Sequence, residues 1–309
     1  MLPFDLPPAL AGYADRGPDW AAWLDSLPRL VRDVVEEWGL GYDGPPRHGE
    51  CALVVPVRTG DGCPAMLKLS FPDDESEHEY LGLRTWQGNG AVRLLRADPK
   101  RWALLLERLH AGEDLTGMWD IDACEVVAGF YPRLHVPAPP QLRALTSYVD
   151  RWTEDLARLP RSVPVPHRLV EQAVSLGRSF VADDATDGTM IHCDLHYFNV
   201  LAADREPWLV IDPKPLSGDP HYEVAPLLWN RWDEVVESGR VRDAVRRRFF
   251  TVVDAAGLDE ARARDWVVVR EMHNALWTIQ DARARDRALG PEDRDWLTTS
   301  IAVAKAVQD

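Results

Sequence analysis

Cysteine is scarce in this chain. Of 309 residues only four are cysteine, Cys51, Cys63, Cys124 and Cys193, and no two form a C-x-x-C pair. That spacing excludes a disulfide framework and offers no cysteine-based zinc site, so a reducing, cytoplasmic setting is expected. Positive charge is also in deficit, with 35 Lys and Arg against 50 Asp and Glu and a net charge of −15. Such a surface repels nucleic acid and anionic lipid, and it draws in small cations. No apolar run approaches the roughly 18 residues that a membrane-spanning helix needs. The start, Met-Leu-Pro-Phe-Asp-Leu, has no basic segment ahead of an apolar one, so neither export nor membrane insertion is expected. Internal repeats and low-complexity tracts are missing as well.

What is present is enough apolar material, 46% of residues, to fill two lobes rather than one. Trp20, Trp23, Leu24, Leu27, Leu30, Val31, Val34, Val35 and Trp38 recur at helical spacing. They predict a helix from about Asp19 to Trp38, with Pro28 as a break or kink. The polar face of that helix carries Asp25, Asp33, Glu36 and Glu37, which fits core packing and not a membrane surface. From Ala52 the period changes to that of strands. Ala52 to Arg58 and Pro64 to Ser70, joined through Asp61-Gly62, predict a hairpin. A helix capped by Asp73 or Asp74 and ending at Gly88-Asn89-Gly90 should follow, then strands over Ala91 to Ala97 and Trp102 to Leu106. Beyond Gly112 the pattern is helical: 120–134, 145–159, 169–181, 223–230, 241–256, 259–285 and 291–307. The Pro-rich stretches between these helices are too short to be interdomain linkers.

One segment concentrates chemistry. Ile191 to Asp212 reads I-H-C-D-L-H-Y-F-N-V-L-A-A-D-R-E-P-W-L-V-I-D, with Asp194 and Asn199 in a loop and Asp212 at the end of an apolar run. Phosphoryl transfer needs a carboxylate to orient the attacking hydroxyl and oxygen ligands to hold Mg²⁺ against nucleotide phosphates. Asp194, Asn199 and Asp212 are candidates for those roles, with Asn199 and Asp212 as the metal ligands. A lone Asp in a turn would ordinarily make only an Asx-turn hydrogen bond; an ordered trio asks for more. His192 and His196 share the spacing of a zinc-protease pair, but that pattern requires Glu directly after the first His, and Cys193 stands there. His192 is therefore expected to be a structural loop histidine.

Protein kinases carry H-R-D-x-x-x-x-N followed by D-F-G. Here the loop is His192-Cys193-Asp194 with Asn199, then Asp212-Pro213-Lys214, so the arginine and the phenylalanine are missing. In a kinase reading Lys68, a charge between Leu67 and Leu69 in a strand, would hold nucleotide phosphates. Glu79, near the buried stripe of Leu83 and Trp86, would hold Lys68. Glycine is thin where a phosphate cover would need it, with only Gly49 nearby.

The chain resembles the aminoglycoside phosphotransferase family, in the branch that holds streptomycin 6-kinases and hydroxyurea phosphotransferases. The resemblance is carried by Gly62-Cys63-Pro64-Ala65-Met66-Leu67-Lys68-Leu69, by His78-Glu79 with Gly82-Leu83-Arg84, by Gly88 to Leu95, by Ala103 to Leu109, and above all by Ile191 to Asn230. The last includes Trp208-Leu209-Val210-Ile211-Asp212-Pro213-Lys214 and Gly218-Asp219-Pro220-x-Tyr222-Glu223. The resemblance implies an α+β, bilobal, protein-kinase-like fold. Residues 1–109 would form the nucleotide lobe, an antiparallel sheet plus helices, and 110–309 a helical lobe with the catalytic loop. It implies ATP and Mg²⁺, with γ-phosphoryl transfer to a hydroxyl of a small-molecule acceptor. Asp194 would be the base, Asn199 and Asp212 metal ligands, Lys68 and Glu79 the phosphate clasp, and the backbone of Glu107 and Leu109 the adenine contact. Cys193 stands where the family usually has glycine, and Cys51 where it often has serine or threonine. Glu223, Trp232, Asp233, Glu234 and Glu271 are candidates for a cationic, polyhydroxylated acceptor, since aromatic faces and carboxylates suit one. Three readings follow: an antibiotic O-phosphotransferase, a metabolic kinase for a sugar or amino alcohol, and a nucleotide-binding module without turnover.

Overall fold

The computed structural model describes residues 4–308, so the reading of the first three residues lies outside it. The chain divides into two compact units, Met1–Gly112 with Leu201–Lys214, and Glu113–Val200 with Pro215–Asp309.

In the first unit helix α1 (Pro18–Trp38) covers one face of an antiparallel sheet. The sheet is built on β1 (Ala52–Arg58), β2 (Pro64–Ser70), β3 (Leu94–Asp98) and β4 (Ala103–Glu107), in the order β1-β2-β4-β3. Two short strands, Gly41–Tyr42 and Arg47–His48, pair with β1. Because side chains alternate along a strand, Leu53, Val55, Val57, Leu67, Leu69 and Leu105 all point at Leu24, Leu27, Val31 and Val34 of α1. Lys68 falls on the opposite face, in register with Val54 and Leu104. Pro28 sits inside α1 without ending it. The buried stripe on either side outweighs one missing hydrogen bond and the ring's clash with the preceding turn.

The helix expected from Asp73 begins later. Asp73 caps a turn, its carboxylate accepting the Ser76 N–H at 2.7 Å, and helix α2 (Glu79–Trp86) starts at Glu79. The chain returns to the first unit after the loop that follows Ile191. Leu201–Lys214 belongs to the first unit, where the Val92 N–H donates to the Val210 carbonyl at 2.9 Å and Arg205 bonds the Glu107 carboxylate at 2.8 Å. Polar groups that find partners in the first unit set the membership of this stretch, and sequence order does not.

The second unit is largely helical. Helices α3 (Asp120–Ala128), α4 (Leu145–Ala157), α5 (His167–Val181), α6 (Val241–Ala256), α7 (Glu260–Ala284) and α8 (Pro291–Ala306) pack so that α7 touches α4, α5 and α8. Its core includes Leu145, Val149, Phe180, Ile191, Tyr222 and Trp266, with Phe180 stacked on Trp266 at 3.8 Å. The expected helix over 120–134 breaks after Ala128 and resumes as Tyr131–Leu134, with Pro132 in the first turn of the second piece. Likewise 223–230 is a 3₁₀ turn, Pro220–Glu223, followed by one helical turn, Ala225–Leu228. A two-stranded ribbon, β5 (Thr189–Ile191) against β6 (Leu216–Gly218), delivers the chain to His192. Gly218 is required there: a Cβ on it would lie 2.6 Å from Ile191 Cδ1 and 3.0 Å from Leu145 Cβ. Among the described residues no helix is long and apolar enough to cross a membrane.

Candidate active site

Candidate functional residues fall in both units. In the first, Lys68 Nζ donates to both carboxylate oxygens of Glu79, at 2.7 Å each, and to Asp212. Lys68 and Glu79 are buried, whereas the Asp212 side chain is 43% exposed. Burial alone would pull the Lys68 ammonium down; the carboxylates of Asp212 and Glu79 outweigh it and raise its pKa. Burial pushes the Glu79 carboxyl up to about 7 against the attraction of Lys68. Glu79 meets the lysine because it opens α2; Glu75, outside that helix, pairs instead with Lys214 at 3.1 Å. Asp212 follows the strand Trp208–Val210 and has a left-handed backbone, φ 55°, uncommon for a residue with a side chain and found where function holds a residue in place.

Glu107 ends β4 with its carboxylate bonded to Arg205 at 2.8 Å and to the Arg93 N–H at 3.0 Å. Its own N–H donates to the Arg93 carbonyl, and the Leu109 carbonyl accepts from Ala111.

In the second unit the loop His192–Asn199 is held largely through its main chain, and the Tyr197 hydroxyl also donates to the Asp120 carbonyl at 3.0 Å. Glu223 Oε1 accepts the Cys193 N–H at 2.8 Å, and Glu223 Oε2 takes His135 Nε2 at 2.5 Å. Arg270 reaches the Cys193 carbonyl at 3.4 Å and bonds the Tyr222 hydroxyl. Asn230 Oδ1 accepts the Tyr197 N–H at 3.1 Å, and Asn199 Nδ2 donates to the Asp194 carbonyl at 2.8 Å. His192 is fully buried and its Nδ1 accepts the Asp194 N–H at 3.3 Å, a structural part. Cys193 sits at φ 66°, a conformation glycine adopts without strain, which explains why a glycine suits this place in the motif. The Asp194 side chain keeps 21% exposure.

Of the candidate acceptor residues, two are placed where an acceptor does not reach. Glu223 has no exposure and both of its oxygens serve the loop, so it positions Cys193 and does not meet an acceptor. Glu271 is equally buried in α7, beside Asn274 and Ser300, and its carboxyl is pushed up to about 7 by burial. Glu234 is exposed but bonded to Arg231; Asp233 is exposed and Trp232 half-buried at the start of a short helix. The supports His135, Asn230 and Arg270 escaped the sequence reading, since lone polar residues scattered over 130 to 270 form no motif.

Glu223 gives a test of this scaffold. Burial raises its pKa, but the His135 bond and charge, His192 and the Cys193 N–H outweigh that and hold it below the usual carboxylate value. A depressed folded-state pKa stabilises the fold above the unfolded value of about 4.3 and is lost as pH falls through the folded value. Glu223→Gln offers one carbonyl acceptor where two donors need one each, so it should cost about 2–3 kcal/mol near pH 7. The gap in melting temperature between the two proteins should narrow on acidification from pH 6 to pH 3. Parallel curves over that range would mean that the carboxylate does not carry the loop.

An antiparallel sheet bearing a Lys–Glu–Asp clasp, with an aspartate and an asparagine five residues apart in a loop on a helical unit, defines a kinase-like phosphotransferase. Residues 37–282 match the family described as aminoglycoside/hydroxyurea antibiotic resistance kinase, and the chain belongs to that family. It is 43% identical over 282 residues to a streptomycin 6-kinase of Streptomyces glaucescens, covering 90% of this chain and 91% of that one. It is also 42% identical to a hydroxyurea phosphotransferase of Kitasatospora aureofaciens, covering 84% and 75% respectively. A choline/ethanolamine kinase family protein from Mesorhizobium loti shares the fold, with a TM-score of 0.59 at 18% identity over 91% of this chain and 95% of that one. The chain is thus an α+β enzyme of the kinase-like fold that transfers a phosphoryl group to a hydroxyl.

Proposed function

We propose that the enzyme uses ATP and Mg²⁺ to phosphorylate a hydroxyl of a streptomycin-class aminoglycoside. The observation that carries the phosphotransfer chemistry is the clasp of Lys68 by Glu79 and Asp212, a buried cation held between carboxylates. Lys68 would hold nucleotide phosphates and Glu79 would keep it aimed. Asp194 would orient the acceptor hydroxyl and take up its proton. Asn199 and Asp212 present oxygen donors, the hard and sparse set that Mg²⁺ takes from a protein when phosphates fill the rest of its shell. The Asn199 amide nitrogen is already spent on the Asp194 carbonyl, which suits its oxygen to that use. Bound Mg²⁺ would neutralise charge on the phosphate oxygens during transfer. The backbone of Glu107 and Leu109 would meet adenine, and residues 1–109 and 110–309 would divide nucleotide from acceptor, with Leu201–Lys214 on the nucleotide side.

The acceptor class is supported by the streptomycin 6-kinase of S. glaucescens, by the net charge of −15, and by the exposed Asp233 beside the half-buried Trp232. Hydroxyurea is the second reading, favoured by the K. aureofaciens relative. An ATP-consumption screen over streptomycin, other aminoglycosides, hydroxyurea, sugars and amino alcohols separates them. Streptomycin is expected to be the strongest acceptor. Robust turnover of hydroxyurea or of a neutral sugar, with none of any cationic acceptor, would replace this reading, and no turnover at all would point to a nucleotide-binding module.

A further inference from the structure

His196 stands within the catalytic loop yet has no part in the transfer chemistry described above. Its Nε2 lies 3.2 Å from Asn199 Nδ2 and 3.7 Å from Asp194 Oδ1. The first distance is a hydrogen bond and the second is beyond one. An amide nitrogen has two donors and no acceptor capacity, so Nε2 is the acceptor in this contact. Asn199 Nδ2 therefore uses one proton on the Asp194 carbonyl, at 2.8 Å, and the other on His196. A single hydrogen bond leaves an amide free to swing about its terminal torsion, which is broad. Two bonds in different directions fix its plane, and with it the direction of Oδ1. Asn199 is only 7% exposed, so water does little of this work.

We propose that His196 is a positioning residue that locks the Asn199 amide with its oxygen turned outward for the metal, so that His196 governs metal affinity. The proposal rests on the reading of Asn199 as a metal ligand. The rival role for His196 is purely aromatic, because its ring lies 6.0 Å from Phe198 and 5.8 Å from Trp229. Phenylalanine would preserve that packing and delete only the lone pair; glutamine would restore an acceptor near the position of Nε2 and delete the ring.

The test uses the full-length enzyme with ADP and Mn²⁺, reading free Mn²⁺ by electron paramagnetic resonance. Partners that orient a metal ligand are typically worth about 10–100-fold in metal affinity. His196→Phe should weaken Mn²⁺ by about that factor, while ADP affinity without metal stays unchanged. His196→Gln should return Mn²⁺ affinity to within about threefold of the wild type. In an Asn199→Ala background, His196→Phe should cause no further loss, because the amide it holds is gone; this comparison also separates positioning from general loosening of the fold. Wild-type Mn²⁺ affinity in His196→Phe, or an equal loss in the Phe and Gln variants, would overturn the proposal. If Asn199→Ala itself binds Mn²⁺ as the wild type does, the fault lies in the metal-ligand reading.

Discussion

Asp194→Asn should lower phosphoryl transfer to a saturating acceptor by about 10²–10⁴-fold, the range that a positioned general base contributes. The loss should be confined to chemistry. Asparagine has the shape of aspartate, and the contacts that hold this position in the loop, the His192 Nδ1 bond to the Asp194 N–H and the Asn199 bond to the Asp194 carbonyl, belong to the main chain. Melting temperature and its increase with Mg-ATP should therefore match the wild type. The measurement is a single-turnover rate alongside a thermal shift with and without nucleotide. Retention of more than about a tenth of the rate would remove Asp194 from the base position, and loss of the nucleotide shift would move it to the other half of the site.

The second large effect falls on Lys68. Lys68→Ala removes the cation between Glu79 and Asp212, and it should cost about a hundredfold or more in rate, as the loss of a preorganised charge in such a site does. Glu79→Ala should follow more mildly, because the lysine would remain but lose its aim. Stability responds separately. A buried carboxylate stripped of its partner costs about 3–5 kcal/mol while ionised, yet Glu79 has an escape, since burial already pushes its carboxyl up to about 7. In the variant that pKa climbs further, so the penalty is largest above it and fades as pH falls and the carboxyl takes a proton. Lys68→Ala should thus melt well below the wild type at pH 8 and much closer to it at pH 5.5. Lys68→Met combined with Glu79→Leu should recover stability without recovering rate, which separates the two roles. Full turnover in Lys68→Ala at saturating ATP would disprove the phosphate assignment.

What could be read in advance and what could not divide along physical lines. Helix α1 and the β1–β2 hairpin were legible because an apolar stripe and a strict alternation extend over many residues. The motif that carries Asp194, Asn199 and Asp212 stands out in the string because its spacing is fixed, and their roles in transfer rest on the proposal above. The start of α2 was not: Asp73 satisfies a capping pattern, but its oxygen serves a local turn instead, and nothing in a string distinguishes the two. Nor could Glu223 be told from an acceptor contact. Its role depends on His135 and Cys193, 88 and 30 residues away, which only folding brings to its oxygens. Acidic residues near a motif look alike until burial sorts them.

The main chain of Cys193 is gripped on one side by the fully buried Glu223 and on the other by the half-buried Arg270, both outside the loop's own motif. Asp233 is exposed and Trp232 half-buried, at the start of a short helix. An enzyme built this way separates what must be inherited unchanged from what is open to trial. On the proposed assignment, substitutions at the surface would retune which molecule is modified without disturbing Asp194, whereas a change at a buried support would act on every acceptor at once. Drug resistance enzymes live under selection by changing molecules, and an enzyme of this design would meet that chemical diversity at its periphery while the reactive loop stays under lock.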